Sequence, residues 1–156
     1  FRTMTVFSAS RPFAPMSASV SPKTRRPPES LDSSRQAVVR SHRSEGEVNF
    51  DQLLRQYMAA YELKNLDGIA DMLADEVHLQ DWNLEARGRA AVVLETRRNF
   101  EAAETLEIEI RRVFVSAPHA AAQLRIVVNS GITLDVVDVL SFDEHGKITS
   151  IRAYKG

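Results

Sequence analysis

The chain contains no cysteine, which excludes disulfide bonds, thiolate metal sites and cysteine nucleophiles. It also has no apolar run close to the roughly 18 residues that a membrane-spanning helix needs. Its six glycines form no phosphate-binding loop, and the sequence carries no nucleophile elbow or zinc motif. The formal net charge of −1 gives no general reason to expect nucleic acid or membrane partners. We therefore expect a cytoplasmic protein that uses neither a metal nor a cofactor.

The first part of the chain differs in composition from the rest. Residues 1–45 hold eight Lys or Arg, three Asp or Glu and five of the six prolines, and they are rich in serine. Such a segment cannot bury enough apolar surface to offset the entropy lost on ordering. We expect residues 1–46 to be a flexible or extended basic tail, although a transit-like leader or upstream-frame sequence would have a similar composition. Residues 47–156 are expected to form one domain.

Apolar periodicity predicts three helices in that domain. Asn49 can cap a first helix, whose apolar stripe runs from Phe50 to Tyr61 at spacings of three and four. A short second helix follows around Ile69, and a third is expected from about Arg89 to Ala103. A polar loop is expected between Asp81 and Gly88.

Alternation of apolar and polar residues predicts the strands. A first strand covers Glu76 to Trp82, and four more form a meander. The four are expected at Thr105–Phe114, Ala122–Val128, Thr133–Phe142 and Ile148–Tyr154. Helices followed by a run of strands are typical of the α+β class. We expect a curved antiparallel sheet wrapped around the helices, forming a cone-shaped barrel with an internal pocket.

Two carboxylates occupy positions where the alternation predicts burial. Asp81 shares its strand face with Val77 and Leu79, and Asp138 lies between Val136 and Leu140. Buried acids require a partner or a function, because desolvation of a charge is costly. Asp81 could instead cap the loop that follows its strand. Asp138 could instead form a buried ion pair with Arg112 or Arg152.

Tyr57 adds a third polar group, on the apolar stripe of the first helix. A few convergent polar groups in an apolar cavity are the expected signature of a small-molecule site. We therefore predict that Tyr57, Asp81 and Asp138 form a catalytic acid–base site. The predicted pocket lining comprises Met58, Tyr61, Trp82, Phe100, Val136 and Leu140.

These residues, together with several short motifs, resemble the ketosteroid isomerase family, within a larger superfamily of nuclear transport factor-like and polyketide-cyclase-like folds. The resemblance covers about residues 50–155. It rests on segments 55–60, 65–69, 74–76, 137–138 and 146–148. It implies that Asp81 is a general base and that Tyr57 and Asp138 form an oxyanion hole. The implied reaction moves a proton within a hydrophobic, steroid- or polyketide-like carbonyl compound.

The resemblance leaves two other possibilities to compare. Related epoxide hydrolases use an Asp-Arg-Asp arrangement, and Ala153 stands where their last acid is expected, which argues against epoxide hydrolysis. Non-catalytic small-molecule-binding or dimerisation modules share the same fold. The family commonly pairs through its sheet, so we expect a homodimer. The expected outer sheet face carries Val113, Val127, Val137, Val139 and Ile151.

Overall fold

The computed structural model describes residues 46–156, so the predictions made for residues 1–45 lie outside the described residues. Capping side chains set where the first two helices begin. Asn49 Oδ1 accepts a hydrogen bond from the Gln52 amide at 3.1 Å, and helix α1 spans Phe50–Glu62. Asn65 Oδ1 accepts from the Gly68 amide at 3.0 Å, and α2 spans Leu66–Met72. Helix α3 spans Arg89–Ala102.

Six strands form one curved, unclosed sheet in the order β2-β1-β6-β5-β4-β3. They are β1 (Leu73–Gln80), β2 (Glu85–Arg87), β3 (Leu106–Ser116), β4 (His119–Val128), β5 (Ile132–Phe142) and β6 (Ile148–Lys155). Helix α1 packs against β3 and β4, and α3 packs against β1. The predicted α+β class is therefore confirmed. Within residues 46–156, no helix is long and apolar enough to cross a membrane.

The sheet is mixed, whereas the sequence predicted an antiparallel one. The four-strand meander β3 to β6 is antiparallel throughout, as expected. However, β1 pairs with β6 in parallel, and the segment predicted as a polar loop contributes β2. Parallel neighbours need a long connection, and the chain between β1 and β6 supplies one that contains α3 and the rest of the meander. The hydrophobic pattern of β1 did not indicate whether it runs parallel or antiparallel to its neighbour.

Bulges reverse two parts of the predicted outer sheet face. The register of β3 shifts between Ile110 and Arg112, so Val113 packs against the core while Phe114 is exposed. In β6, a shift opposite Ser141 and Phe142 leaves Ile151 buried on the inner face. One extra residue in a strand moves all later side chains to the opposite face. The predicted outward positions of Val113 and Ile151 were therefore wrong.

The core lies between the helices and the inner face of the sheet. Its largest fully buried side chains are Leu54, Ile69, Leu73, Leu124, Leu140 and Ile148. Each helix contributes one apolar stripe and leaves its opposite side to solvent, as the spacing predicted. Near β5 and the end of β1, this packing leaves a cavity.

Candidate functional site

A cavity of about 90 Å³ lies between α1, α3 and the inner sheet face. Most of its wall is apolar, with contributions from β1 and from β3 to β6. Its hydrogen-bonding side chains are those of Tyr57, Tyr61, Asp81, Trp82, Thr96, Asn99 and Asp138. The three residues that the sequence predicted as catalytic thus all lie on the wall of one cavity. A few polar groups in an apolar concavity are the usual composition of a small-molecule site.

Asp138 is a half-buried acid on this wall. Its Oδ1 is buried and has no hydrogen-bond partner within residues 46–156. Burial and, to a smaller extent, the nearby negative charge of Asp81 together raise the pKa of Asp138 to about 7. The alternative ion pairs are not formed, since both Arg112 and Arg152 are exposed and neither contacts this oxygen. Close to neutral pH, much of Asp138 is therefore a neutral acid that can donate a hydrogen bond.

Asp81 lies just after β1, where the chain turns. Its Oδ1 accepts from the amides of Asn83 at 2.6 Å and Leu84 at 2.7 Å. The loop-capping role that the sequence left open is therefore present, together with a place on the cavity wall. Because both amides bind Oδ1, they fix the orientation of the carboxylate and leave Oδ2 as the oxygen that can take up a proton.

Tyr57 is buried on α1. Burial raises the pKa of its hydroxyl well above the ordinary value, with smaller contributions from Tyr61 and Asp138. The phenol therefore stays protonated and can act as a donor at any physiological pH. It does not hydrogen-bond to Asp138 Oδ1, which has no partner within residues 46–156.

A second phenol lies one helical turn further along α1. The hydroxyl of Tyr61 accepts a hydrogen bond from Asn99 Nδ2 at 3.0 Å, which leaves its own proton free to donate. The pKa of Tyr61 is raised to about 12, mainly by burial; the Asn99 hydrogen bond opposes the rise, and the charges of Asp138 and Asp81 add to it. The Tyr57 and Tyr61 rings lie 6.0 Å apart.

The predicted lining residues divide into two groups. Met58, Tyr61, Trp82 and Val136 line the cavity. Phe100 and Leu140 do not: Phe100 packs edge-on against Tyr61 with ring centroids 4.9 Å apart, and Leu140 is fully buried in the core. Phe100 therefore supports the wall residue Tyr61 from behind rather than lining the cavity itself. Trp82 Nε1 is buried without an acceptor within residues 46–156.

Sequence reasoning missed two polar residues of α3. Asn99 binds Tyr61 and keeps its own Oδ1 buried without a partner within the described part of the chain. Thr96 is buried, and its hydroxyl donates to the Val92 carbonyl at 2.9 Å. The available signal was their spacing from Val92, because Thr96 lies four and Asn99 seven residues beyond it. Residues 46–156 contain no group of three or more His, Cys, Asp or Glu side chains placed to hold a metal ion.

Solved structures with this arrangement define the class of fold. An NTF2-like protein of unknown function from Cytophaga hutchinsonii matches with a TM-score of 0.60 at 13% identity, over 72% of this chain and 95% of that one. A candidate ketosteroid isomerase from Kribbella flavida matches with a TM-score of 0.59 at 20% identity, over 67% and 76%. An LEH-like epoxide hydrolase from Mycobacterium tuberculosis matches with a TM-score of 0.60 at 18% identity, over 67% and 80%. The chain therefore has the NTF2-like α+β cone fold.

The family can also be stated. The model of the SnoaL-like domain matches residues 54–151, so the chain belongs to the SnoaL-like family. This match confirms the resemblance that the sequence motifs indicated. A comparison with curated proteins finds no match. The solved structures that share this fold include a candidate ketosteroid isomerase and an epoxide hydrolase, so the activity has to be argued from the cavity itself.

Proposed function

We propose that the domain is a cofactor-independent acid–base enzyme that moves a proton between two carbons of a hydrophobic carbonyl substrate. The observation that carries this proposal is Asp138, a half-buried acid with a pKa of about 7 and an unpartnered oxygen on the wall of a cavity that Asp81 also lines. A carboxyl group that is neutral near pH 7 can donate a hydrogen bond, and a second carboxyl group on the same wall can act as the base.

The proposed roles follow from the hydrogen bonds of each group. Asp81 Oδ2 takes the proton from the carbon next to the carbonyl, since Oδ1 is already bound by two amides. The carbonyl oxygen becomes an oxyanion, and neutral Asp138 and Tyr57 donate hydrogen bonds to it. The substrate carries a carbon–carbon double bond conjugated with the enolate, and Asp81 then returns the proton to the far carbon of that bond, so that the double bond shifts by one position. Such donors are effective in a dry site because they need no reorganisation as the charge develops.

The size of the cavity limits what can be bound. About 90 Å³ is less than the roughly 150 Å³ of an engineered cavity that binds benzene. A steroid- or polyketide-sized substrate would therefore place only its reacting carbonyl end inside and would extend out past Trp82. We propose that the substrate is a hydrophobic carbonyl compound with a small reactive end.

Epoxide hydrolysis receives less support, although one structural neighbour is an LEH-like epoxide hydrolase. Asp138 pairs in register with Ala153, and both line the cavity. By the sequence resemblance, epoxide hydrolysis would require an acid at position 153 and an arginine placed between two acids. No arginine lines the cavity within residues 46–156.

We also propose a homodimer that forms through the outer sheet face. Three exposed residues on that face are apolar or aromatic: Phe114 is 60% exposed, Tyr154 54% and Val137 40%. Val137 and Tyr154 are register partners on neighbouring strands, so they form one continuous patch. Exposed patches of this kind mark interaction surfaces.

The cytoplasmic location expected from the sequence stays a prediction.

Exchange of an α-proton into heavy water tests the enzymatic proposal. Asp81→Asn should abolish exchange, because the amide keeps the shape but cannot accept a proton. Asp138→Ala and Tyr57→Phe should each lower the rate by roughly 10²–10³-fold, the scale for loss of one oxyanion donor. Arg97→Gln, at an exposed position of α3, is the control and should leave the rate unchanged. No exchange on small ketones or enones with the wild-type protein would contradict the proposal and favour a non-catalytic binding module.

A further inference from the structure

A groove of about 320 Å³ adjoins the cavity at the point where β1 ends. It lies between the turn at Asp81 and Trp82 and the last residues of β6. We call it the outer groove, lined by Gln80, Asp81, Trp82, Arg152, Ala153, Tyr154 and Lys155. Asp81, Trp82 and Ala153 line both spaces, so a molecule whose reactive end sits by Asp81 has the outer groove as its neighbouring volume.

The end of β6 gives the outer groove its shape. The pairing of β1 with β6 ends at Gln80 and Arg152, after which the chain of β1 turns away at Asp81. Beyond that point β6 continues to Lys155 and pairs only with β5. Its edge on the β1 side is therefore left open along the outer groove, with backbone groups that have no strand partner there.

The outer groove also carries positive charge. Arg152 and Lys155 both line it, and neither is ion-paired within residues 46–156. Asp81 is the one acid on its wall, and its Oδ1 is occupied by two backbone amides. Arg152 and Lys155 lie three residues apart on β6, one on each face of the strand, so they flank its open edge. Neither is paired with the Asp81 carboxylate, and two such cations are suited to bind an anion.

We propose that the outer groove is an anion subsite and that the substrate is a keto acid or enone acid. Its carbonyl end enters the cavity, and its carboxylate binds Arg152 and Lys155. This inference rests on the proposed function for the reaction at the carbonyl end. The anion subsite itself can be tested by binding alone, without turnover. It also accounts for a cavity that is too small to hold a complete substrate, because the remainder of the molecule occupies the outer groove.

Trp82 provides a direct measure of occupancy that does not depend on turnover. It is the single tryptophan of the chain and lines both spaces. The probes are 5-oxohexanoate and 5-oxohexanamide, which differ only in the charge of the terminal group. We expect the acid to change Trp82 fluorescence with an affinity about tenfold higher than that of the amide, and this difference to shrink as salt is raised.

Variants assign that preference to the two cations. Arg152→Gln and Lys155→Gln should each weaken binding of the acid about three- to fivefold, the range for one partly exposed ion pair, and should leave binding of the amide unchanged. The double variant should bind acid and amide equally. Arg97→Gln removes an exposed arginine that lines neither space and should behave as wild type.

The outcomes separate this inference from the proposed function. A preference for the acid that the double variant abolishes supports the anion subsite, whether or not α-protons exchange. Equal affinity of wild type for acid and amide overturns it, as does a preference that survives in the double variant or a lack of binding of both probes at tens of millimolar. Exchange on both probes, with no difference in affinity between acid and amide, would keep the enzyme and discard the subsite.

Discussion

Asp135 and Asp138 lie three residues apart on β5, and their surroundings differ in every respect that matters for ionisation. Asp135 is exposed on the outer face opposite Arg125. Asp138 points to the inner side, where its Oδ1 is buried and the charge of Asp81 is close. Its pKa of about 7 follows first from burial and then from that charge. Position on the strand therefore decides that Asp138, and not Asp135, lies on the cavity wall.

The pKa of Asp138 predicts how activity depends on pH. The acid donates a hydrogen bond only while protonated, so kcat/KM for α-proton exchange should fall as the pH rises through about 7. In Asp138→Asn the amide donates at every pH, so the rate should be lower near pH 6 but lack this fall. Profiles of both proteins between about pH 5 and 9 test the assignment. The same fall in Asp138→Asn would contradict it.

At the scale of elements, the turn after β1 combines a structural and a chemical task in one side chain. Asp81 Oδ1 accepts from two amides of the turn, and this turn carries Trp82 to the border of the cavity and the outer groove. An asparagine at position 81 offers a carbonyl oxygen to the same amides, whereas alanine offers nothing. Substitutions at this position can therefore separate stability from catalysis.

We predict that Asp81→Ala lowers the free energy of unfolding by about 1–2 kcal/mol more than Asp81→Asn does, since it leaves two turn amides without their acceptor. Both variants should lack proton exchange. Urea unfolding followed by Trp82 fluorescence and by circular dichroism gives the two stabilities. Equal stability of the alanine and asparagine variants would mean that the two hydrogen bonds contribute nothing.

The elements also show what the sequence could and could not predict. Asn49 and the stripe from Phe50 to Tyr61 predicted α1, because capping and periodicity are local properties. The prediction of which side chains of β3 and β6 point to the core was wrong at their bulges. One extra residue exchanges the two faces of a strand, and the apolar pattern fits either arrangement. The parallel pairing of β1 with β6 depends on which strands meet, and local patterns carry no information on that.

The candidate site shows the same division. Asp81, Asp138 and Tyr57 were visible because each places a polar group on an apolar face. Asn99 could not be predicted as a site residue, because only the structure shows that its side chain contacts Tyr61. The missing contact between Asp138 and either arginine likewise required the three-dimensional arrangement, since Arg112 left the predicted face after the bulge in β3.

At the scale of the whole molecule, we propose that the outer sheet face forms the dimer contact. Val137 lies on it beside Tyr154, and Phe114 joins it because of the β3 bulge. We predict a dimer at tens of micromolar, roughly the range of an ordinary self-association experiment. Val137→Glu should give a monomer, because it buries a charge in the contact. Ala59→Glu, on the exposed side of α1, is the control and should remain a dimer. A wild-type monomer in sedimentation would contradict the prediction.

The state of the Asp138 carboxyl group is the most direct test of the account. Titration of its side-chain ¹³C signal by NMR, assigned by its absence in Asp138→Asn, measures that state without any substrate. We predict a midpoint at about pH 7 in the wild type, because burial and the charge of Asp81 both oppose ionisation. In Asp81→Asn the midpoint should be lower, since that charge is removed. A wild-type midpoint near 3.8, the ordinary value for an aspartic acid, would contradict the account.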